Sequence, residues 1–346
     1  METDRTRHLP ASGQALDARH ILDVANAFWA SKTLLSAVEL SVFTELGRGP
    51  VPLEPLQQRL GLHPRAARDF FDALVALGFL QRDGNVYRNA PDAAAFLDKA
   101  KPEYIGGLLE LFNERLYAHW GRLTDSLRSG QPQSGAGDGD VFAELYSSPE
   151  RMRCFLSAMT GISLAAARTI ASQFPWAQHR IVFDIGTAQG CLPVQIALAH
   201  GHITGGGMDL PKVGALFQDY VQEHGLSDRL RFVPGDMFKD DWPRADVYVL
   251  GHILHGWGLD DKRALVARAQ RALPSGGALI VYDAMIDNER KENVFGLLMS
   301  LNMLVETNDG ADYTPAECCE WLREAGFREV RVEKLPGADS MAIGIK

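Results

Sequence analysis

The sequence predicts an α/β protein: a doubly wound sheet with an antiparallel last strand, preceded by a helical, winged N-terminal region. Three observations predict it. The second half alternates short apolar runs with helical patterns, the sign of a parallel sheet covered on both faces. The chain then closes on two strand-like runs, Val330–Leu335 and Met341–Ile345, joined by Pro336-Gly337-Ala338-Asp339, so the last strand must reverse direction. Before all this, residues from about Leu16 to Lys99 read as helices followed by a small hairpin.

Taken in order, Met1–Gly13 is polar and has no apolar core of a signal peptide. Residues 1–15 are expected to be a disordered tail. Residues 16–100 form the winged-helix region. There Ile21, Leu22, Ala25, Phe28 and Trp29 recur at helical spacing, and Leu34–Leu46 continues as an apolar helix ended by Gly47. Leu53–Leu60 and Pro64–Leu77 are two further helices, the second with Pro near its start. Phe79–Arg82 and Asn85–Arg88 flank Asp83-Gly84, a two-residue hairpin signal. A winged helix often binds DNA. Here Arg65 and Arg68 are offset by Asp69 and Asp72, whereas a phosphate-facing helix needs a basic excess. Burial of the apolar N-terminal helices against a second subunit suits them better.

Residues 101–175 are a helical linker and pocket region. Tyr104–Arg128 and Val141–Phe174 read as helix, and the Gly-, Ser- and Pro-rich Gly130–Asp140 as a surface loop. Residues 176–346 hold the cofactor domain, with strands expected at 181–185, 203–208, 230–233, 246–250 and 278–283.

Composition narrows the classes. The 346 residues suit two domains, and a net charge of −9 argues against nucleic-acid or anionic-membrane surfaces. No apolar run reads as long enough to cross a bilayer. Cys154, Cys191, Cys318 and Cys319 show no metal-ligand spacing, which fits a reducing cytoplasm.

The run Ile181-Val182-Phe183-Asp184-Ile185-Gly186-Thr187-Ala188-Gln189-Gly190 carries the most chemistry. It is a buried strand entering a glycine turn. A dinucleotide fingerprint would need glycines where Ala188 and Cys191 stand, and the P-loop Lys is absent. Asp209 ends the next strand at the offset of a ribose-binding carboxylate. A cofactor with a ribose and no phosphate fits best, and S-adenosylmethionine is such a cofactor. An ordinary strand–turn–helix is the competing reading.

Further residues fall on the same rim. After strand 230–233, Asp236 is placed to accept from an adenine amine and Met237 to pack on its ring, against the alternative of a plain Gly-Asp turn. His255 follows the strand at 246–250, where an imidazole is the usual general base near neutral pH. His252 reads as a packed or surface histidine, and no third ligand is spaced for a metal. A catalytic His needs an orienting carboxylate. Asp283 and Asp312 are the candidates, each of which could instead cap a helix, and Thr314 is placed to cap Pro315–Ala325.

With these residues in view, the chain resembles class I S-adenosylmethionine-dependent O-methyltransferases of the caffeic-acid, acetylserotonin and bacterial antibiotic-pathway types. The resemblance rests on FDIGTAQG, MDLPKV, RFVPGDMF, ADVYVLGHILHGW, ALPSGGALIVYDAMI and LREAGF, in order, over nearly the whole chain. It implies a Rossmann-like domain and cofactor contacts from Gly186, Asp209, Asp236 and Met237. It implies His255 as base with Asp283 and Asp312, acceptor-lining positions near Met159, Asn302, Met303 and Glu306, and a homodimer through the N-terminal domain. The implied reaction is methyl transfer to a hydroxyl of a small aromatic or polycyclic acceptor, with N- or C-methylation, or cofactor binding without turnover, as alternatives. The chain departs from the family at Thr187 and Ala188, where glycines are usual, at Gly256, where an acid or amide is usual, and at Gly251, where a lysine is often found. Its two carboxylates are Asp where plant members have Glu.

Overall fold

The computed structural model describes residues 17–101, 104–133 and 145–346. The expected N-terminal tail, most of the Gly130–Asp140 loop and residues 141–144 of the expected helix lie outside them. The chain divides into two compact units, one ending at Ala100 and one beginning at Lys101.

The first unit is mostly helical. Helix α1 (Arg19–Glu39) ends at Leu40, and α2 (Val42–Gly47) begins anew after Ser41, whose φ is +57°. The expected single helix is therefore two. The apolar period runs on through the break, so the sequence pattern does not reveal it. Ile21, Leu22, Val24, Phe28 and Trp29 are exposed along the first half of α1. Next come β1 (Val51–Pro52), α3 (Leu53–Arg59) and α4 (Pro64–Ala76), with Pro64 at the start of α4. The hairpin β2 (Leu80–Asp83) and β3 (Val86–Asn89) pairs Asp83 with Val86. The turn is thus Gly84-Asn85, one residue later than read, with Gly84 at φ +58°. β1 joins it to make a three-stranded sheet. Asp72 of α4 accepts from Arg82 at 2.6 Å and from Tyr87 Oη at 2.7 Å. One of the two carboxylates offsetting the helix's arginines therefore ties it to the wing. Helix α5 (Pro91–Phe96) completes the unit.

The second unit opens with α6 (Gly106–Leu111), a π-helical turn (Phe112–Leu116), α7 (Tyr117–Trp120) and α8 (Leu123–Ser129). Helix α9 (Pro149–Gln173) packs against α6. By length and composition alone it is apolar enough to cross a membrane, contrary to the sequence reading. Its Leu156, Ala158, Ala166, Ala167, Ile170 and Ala171 are instead buried in the protein core.

The sheet comprises β4 (Ile181–Ile185), β5 (Thr204–Asp209), β6 (Leu230–Pro234), β7 (Val247–Gly251), β8 (Ala278–Asp283), β9 (Glu329–Lys334) and β10 (Ser340–Ile345). Their order among the described residues is β6-β5-β4-β7-β8-β10-β9. β10 inserts antiparallel between β8 and β9, and the other pairings from β6 to β8 are parallel. Central strands such as β8 are buried throughout, as Ala278-Leu279-Ile280-Val281-Tyr282 requires of a sheet covered on both faces. One covering layer contains α9 and α10 (Cys191–Ala199), whose apolar residues share a core with Val247, Val249 and Ile280. The other buries Leu265, Val266 and Ala269 of α12 (Leu259–Ala272) and Trp321 and Leu322 of α14 (Pro315–Glu324). Between β5 and β6 lies α11 (Gly214–Glu223), and between β8 and α14 lies α13 (Val294–Glu306). Strand order reverses at β4, whose parallel neighbours are β5 and β7. In such sheets the crevice at that switch point is where ligands bind.

Candidate active site

The turn after β4 is built for close approach. Gly186 has φ +76°, and its amide and that of Thr187 both donate to Met208 O, at 2.8 and 3.3 Å. Ala188 stands at φ +52°, in the left-handed region, where a side chain costs about 1 kcal/mol that the family's usual glycine avoids. The strain is held by Asp209: its Oδ2 accepts from Ala188 N at 2.9 Å and its Oδ1 from Leu210 N at 2.7 Å. The other departure, Thr187, is matched on β5. A Cβ on Gly207 would lie 2.2 Å from Thr187 Cγ2, so the threonine occupies room that a glycine in the next strand provides.

Burial dominates the electrostatics here, pushing Asp209 up to about 6 and Asp184 up to about 7. Each Asp209 oxygen holds one backbone donor, and a carboxylate oxygen has capacity for another. The turn from Asp184 to Cys191 carries no Lys or Arg, so it offers a ribose diol an acceptor and a phosphate no partner. A sulfonium nucleoside fits this donor set.

Gly235, Asp236 and Met237 follow β6 on the same rim. Asp236 Oδ1 accepts from Phe238 N at 2.9 Å and Oδ2 from Lys239 Nζ at 2.7 Å. That lysine, more than any other cause, holds the Asp236 carboxyl below its usual range. Met237 is half-buried against the core.

A buried cluster of charged groups lies at the ends of β7 and β8. His255 follows β7, and its Nδ1 is 3.4 Å from Asp312 Oδ1 and 3.8 Å from Asp283 Oδ1. Both carboxylate side chains are fully buried. At 3.4 and 3.8 Å both contacts are longer than a well-formed hydrogen bond. The cluster is held by charge. Burial works to lower the His255 pKa, but Asp283 and Asp312 outweigh it and raise it to about 9. Burial pushes Asp283 up to about 7 against the pull of His255.

His252 is not a surface residue. It adopts φ +52°, and its Nδ1 is 3.7 Å from the same Asp283 oxygen that faces His255, while its Nε2 is 3.7 Å from Asp339. Burial and the charge on His255 push it down to about 3, so it stays neutral. Gly251 is accounted for as well. A Cβ there would lie 2.2 Å from the Tyr282 ring, leaving no room for the family's lysine.

Two residues that sequence reasoning missed complete the cluster. Tyr313 donates its hydroxyl to Asp283 Oδ2. Lys262 is 4 % exposed and donates to Ala311 O at 2.6 Å. A signal for the lysine was present: with Leu265, Val266 and Ala269 it shares the buried face of α12 at helical spacing.

The remaining expected positions scatter. Met159 is half-buried on α9, beside Thr160, which donates to Gln189 Oε1 of the glycine loop at 2.9 Å. Met303 is half-buried on α13, and Asn302 Oδ1 accepts from Trp120 Nε1 at 2.8 Å. Glu306 is committed within the protein. Its Oε2 accepts from Arg115 Nε at 2.6 Å and its Oε1 lies 2.6 Å from His119 Nδ1, with Arg115 and Glu306 both buried. The π-helical turn carries Arg115. Thr314 caps α14 through a reciprocal box with Glu317.

An acid at the end of β5, a glycine turn without Lys or Arg and a buried imidazole–carboxylate cluster on one rim are the parts that a group-transfer enzyme using a nucleoside cofactor needs. Comparison with known proteins identifies the group transferred. An O-methyltransferase domain matches residues 120–328 and an O-methyltransferase dimerisation domain residues 22–99. The chain belongs to the O-methyltransferase family: it is an enzyme, and its cofactor is S-adenosylmethionine. It is 45% identical over 327 residues to the tetracenomycin polyketide synthesis 8-O-methyl transferase TcmO of Streptomyces glaucescens, covering 94% of this chain and 96% of that one. It is 37% identical to the N,N-dimethyltransferase OxyT of Streptomyces rimosus, covering 95% and 96%. Human N-acetylserotonin methyltransferase in complex with SAM superposes with a TM-score of 0.88 at 27% identity, covering 97% and 99% of the two chains.

Proposed function

We propose that this enzyme methylates a phenolic hydroxyl of a polycyclic, polyketide-type acceptor, with His255 as general base. The observation that carries the reading is the buried His255 between Asp283 and Asp312 at the carboxyl end of the sheet. Support for the acceptor class comes from relatives: TcmO, and a 3-hydroxy-5-methyl-1-naphthoate 3-O-methyltransferase of Streptomyces sahachiroi at 33% identity.

Gly186, Asp209, Asp236 and Met237 would hold the cofactor, which when bound supplies a methyl on an electrophilic sulfonium. The carboxylates face Nδ1 of His255, which fixes the N–H tautomer there and leaves the Nε2 lone pair for the acceptor. As the acceptor oxygen takes the methyl, its O–H bond breaks and the proton passes to Nε2. Asp283 and Asp312 stabilise the imidazolium formed. Met159 of α9 together with Asn302 and Met303 of α13 would line the acceptor's side of the pocket. Glu306, clamped by Arg115 and His119, would shape that wall rather than bond the acceptor.

The enzyme would work as a homodimer. The exposed apolar face of α1, in the region matched by the dimerisation domain, supports this. Four free cysteines support a reducing compartment, the cytoplasm. The likeness to OxyT favours N-methylation as the second reading, in which an amine acceptor needs less help from a base.

The test is turnover of a panel of polycyclic phenols and amines with methyl-labelled S-adenosylmethionine, the product located by mass spectrometry. His255→Ala should keep cofactor binding and lose about 10²–10⁴-fold in turnover of phenols. Undiminished turnover refutes the base, and label on nitrogen alone refutes the hydroxyl.

A further inference from the structure

We infer that Lys262 is a positioning residue for the reaction: its buried ammonium pins the loop that carries Asp312 and supplies the positive charge that lets His255 give up its proton between two buried carboxylates. The inference rests on the proposed role of His255.

Lys262 lies in the first turn of α12, seven residues after His255, where a lysine would ordinarily reach solvent. Here it points inward. Its Nζ donates to the carbonyl of Ala311, the residue before Asp312, and lies 5.4 Å from the Tyr313 ring centroid and 5.8 Å from that of Trp321. Those contacts compensate only part of the cost of burying an ammonium. Burial lowers the Lys262 pKa, and Asp283, Asp312 and Glu317 work to raise it. The lysine's charge in turn opposes the pull of the carboxylates on the His255 proton, and is the smallest of the influences on it.

The pinned loop runs into Tyr313, which holds Asp283 Oδ2, while Tyr313 O accepts from Ile286 N at 2.9 Å. Lys262 thereby fixes both carboxylates relative to His255, one through Ala311 and one through the Tyr313 ring beneath it.

Charge decides what the lysine does beyond geometry. Asp283 and Asp312 bring two buried carboxyl groups, and Asp283, pushed up to about 7, is itself only partly ionised near neutrality. The groups facing the cluster are His255 and Lys262, Tyr313 and Glu317 from the loop and α14, Cys318 beside Asp283, and His252 with Asp339 on the far side. His252 stays neutral, so two cations are available to balance the carboxylates: the Lys262 ammonium and a proton on His255. With Lys262 in place, His255 can alternate between its neutral and charged forms while Asp283 and Asp312 keep one fixed cation near them. Without it, the proton on His255 is the only balancing charge and is held tightly, and a base that cannot release its proton cannot begin the next turnover.

The experiment compares Lys262→Met, which keeps length and volume, with Lys262→Arg, which keeps charge, and with the double variant Lys262→Met/Asp312→Asn. The readout is the NMR titration of the His255 imidazole in the free enzyme, assigned by its loss in His255→Gln. It is accompanied by the pH profile of kcat and by the calorimetric Kd for S-adenosylmethionine. Lys262→Met should raise the titration midpoint and cut kcat near neutrality in step with it, about tenfold for each pH unit of displacement, with the cofactor Kd unchanged. Arg should stay near wild type, and the double variant should return towards it. A midpoint unmoved in Lys262→Met, or moved equally by Arg, overturns the inference. If Lys262→Met does not fold, the Arg variant decides: a displaced midpoint overturns it and an undisplaced one supports it. Should His255→Gln keep its turnover while the midpoint still moves, it is the base assignment that fails and the charge coupling that stands.

Discussion

Replacing Asp312 by asparagine should move the pH dependence of catalysis downwards, in the direction opposite to a simple loss of function. The substitution keeps shape and removes one charge from a side chain that is fully buried 3.4 Å from His255 Nδ1. At that separation the raw attraction is about 5 kcal/mol at an effective dielectric of ~20. Opposite charges at such range commonly move a pKa by about 1–3 units, at about 1.4 kcal/mol each. With His255 raised to about 9, only about one enzyme in a hundred holds a neutral imidazole at pH 7. A base working in its neutral form then makes kcat/KM for the acceptor climb with pH. In Asp312→Asn the climb should begin at least about one unit lower, while the plateau falls because the ring is held less firmly. The assay is methyl transfer from labelled S-adenosylmethionine at saturating cofactor between pH 6 and 10, wild type against variant. The position of the limb, not the height of the plateau, is the readout. A limb that stays in place, or moves up, refutes the claim that Asp312 acts on His255 by charge.

Three further outcomes follow from the same geometry. His255 has a folded pKa of about 9 against an ordinary 6.5, so its stabilising effect is complete below about 6.5 and lost as pH rises through 9. Denaturant unfolding from pH 7 to 10 should show a loss of up to about 3 kcal/mol that His255→Gln flattens, and parallel curves would contradict it. Asp209→Ala removes the acceptor of two backbone hydrogen bonds in the cofactor turn. Its calorimetric Kd for S-adenosylmethionine should rise on the order of 10–100-fold, and an unchanged Kd would remove Asp209 from the cofactor site. Glu306→Ala removes the buried carboxylate that Arg115 and His119 share. A stability loss of about 3–5 kcal/mol is expected in thermal unfolding, whereas a change confined to acceptor KM would show that Glu306 touches the acceptor instead.

The elements read well from sequence where the signal is local. The apolar strands β4 and β8, the glycine turn, and the reversal at Pro336–Asp339 all declare themselves within a few residues. Breaks inside apolar stretches do not. The apolar pattern hides both the interruption at Leu40-Ser41 and the π-helical turn at Phe112–Leu116, because side-chain period is nearly unchanged across one irregular turn. Among the site residues, His255, Asp283 and Asp312 were legible as types at strand and loop ends. Tyr313 was not, since a tyrosine in a loop is an ordinary surface residue until packing turns it inward, and Lys262 was marked only by its helical spacing with Leu265, Val266 and Ala269.

The sequence by itself determined the order of elements, the nucleoside pocket and the family. These follow from hydrophobic period, turn chemistry and short motifs, all of which act between near neighbours. Only the tertiary structure decided the charge partners. Glu306 reaches Arg115 across 191 residues, and Tyr313 reaches Asp283 across 30. Whether a buried charge is balanced depends on distances across the fold, which no local pattern encodes. For the same reason His255 could be proposed as a base from its place after β7, while the carboxylates and the lysine that act on its proton affinity, drawn from three other segments, could not be read.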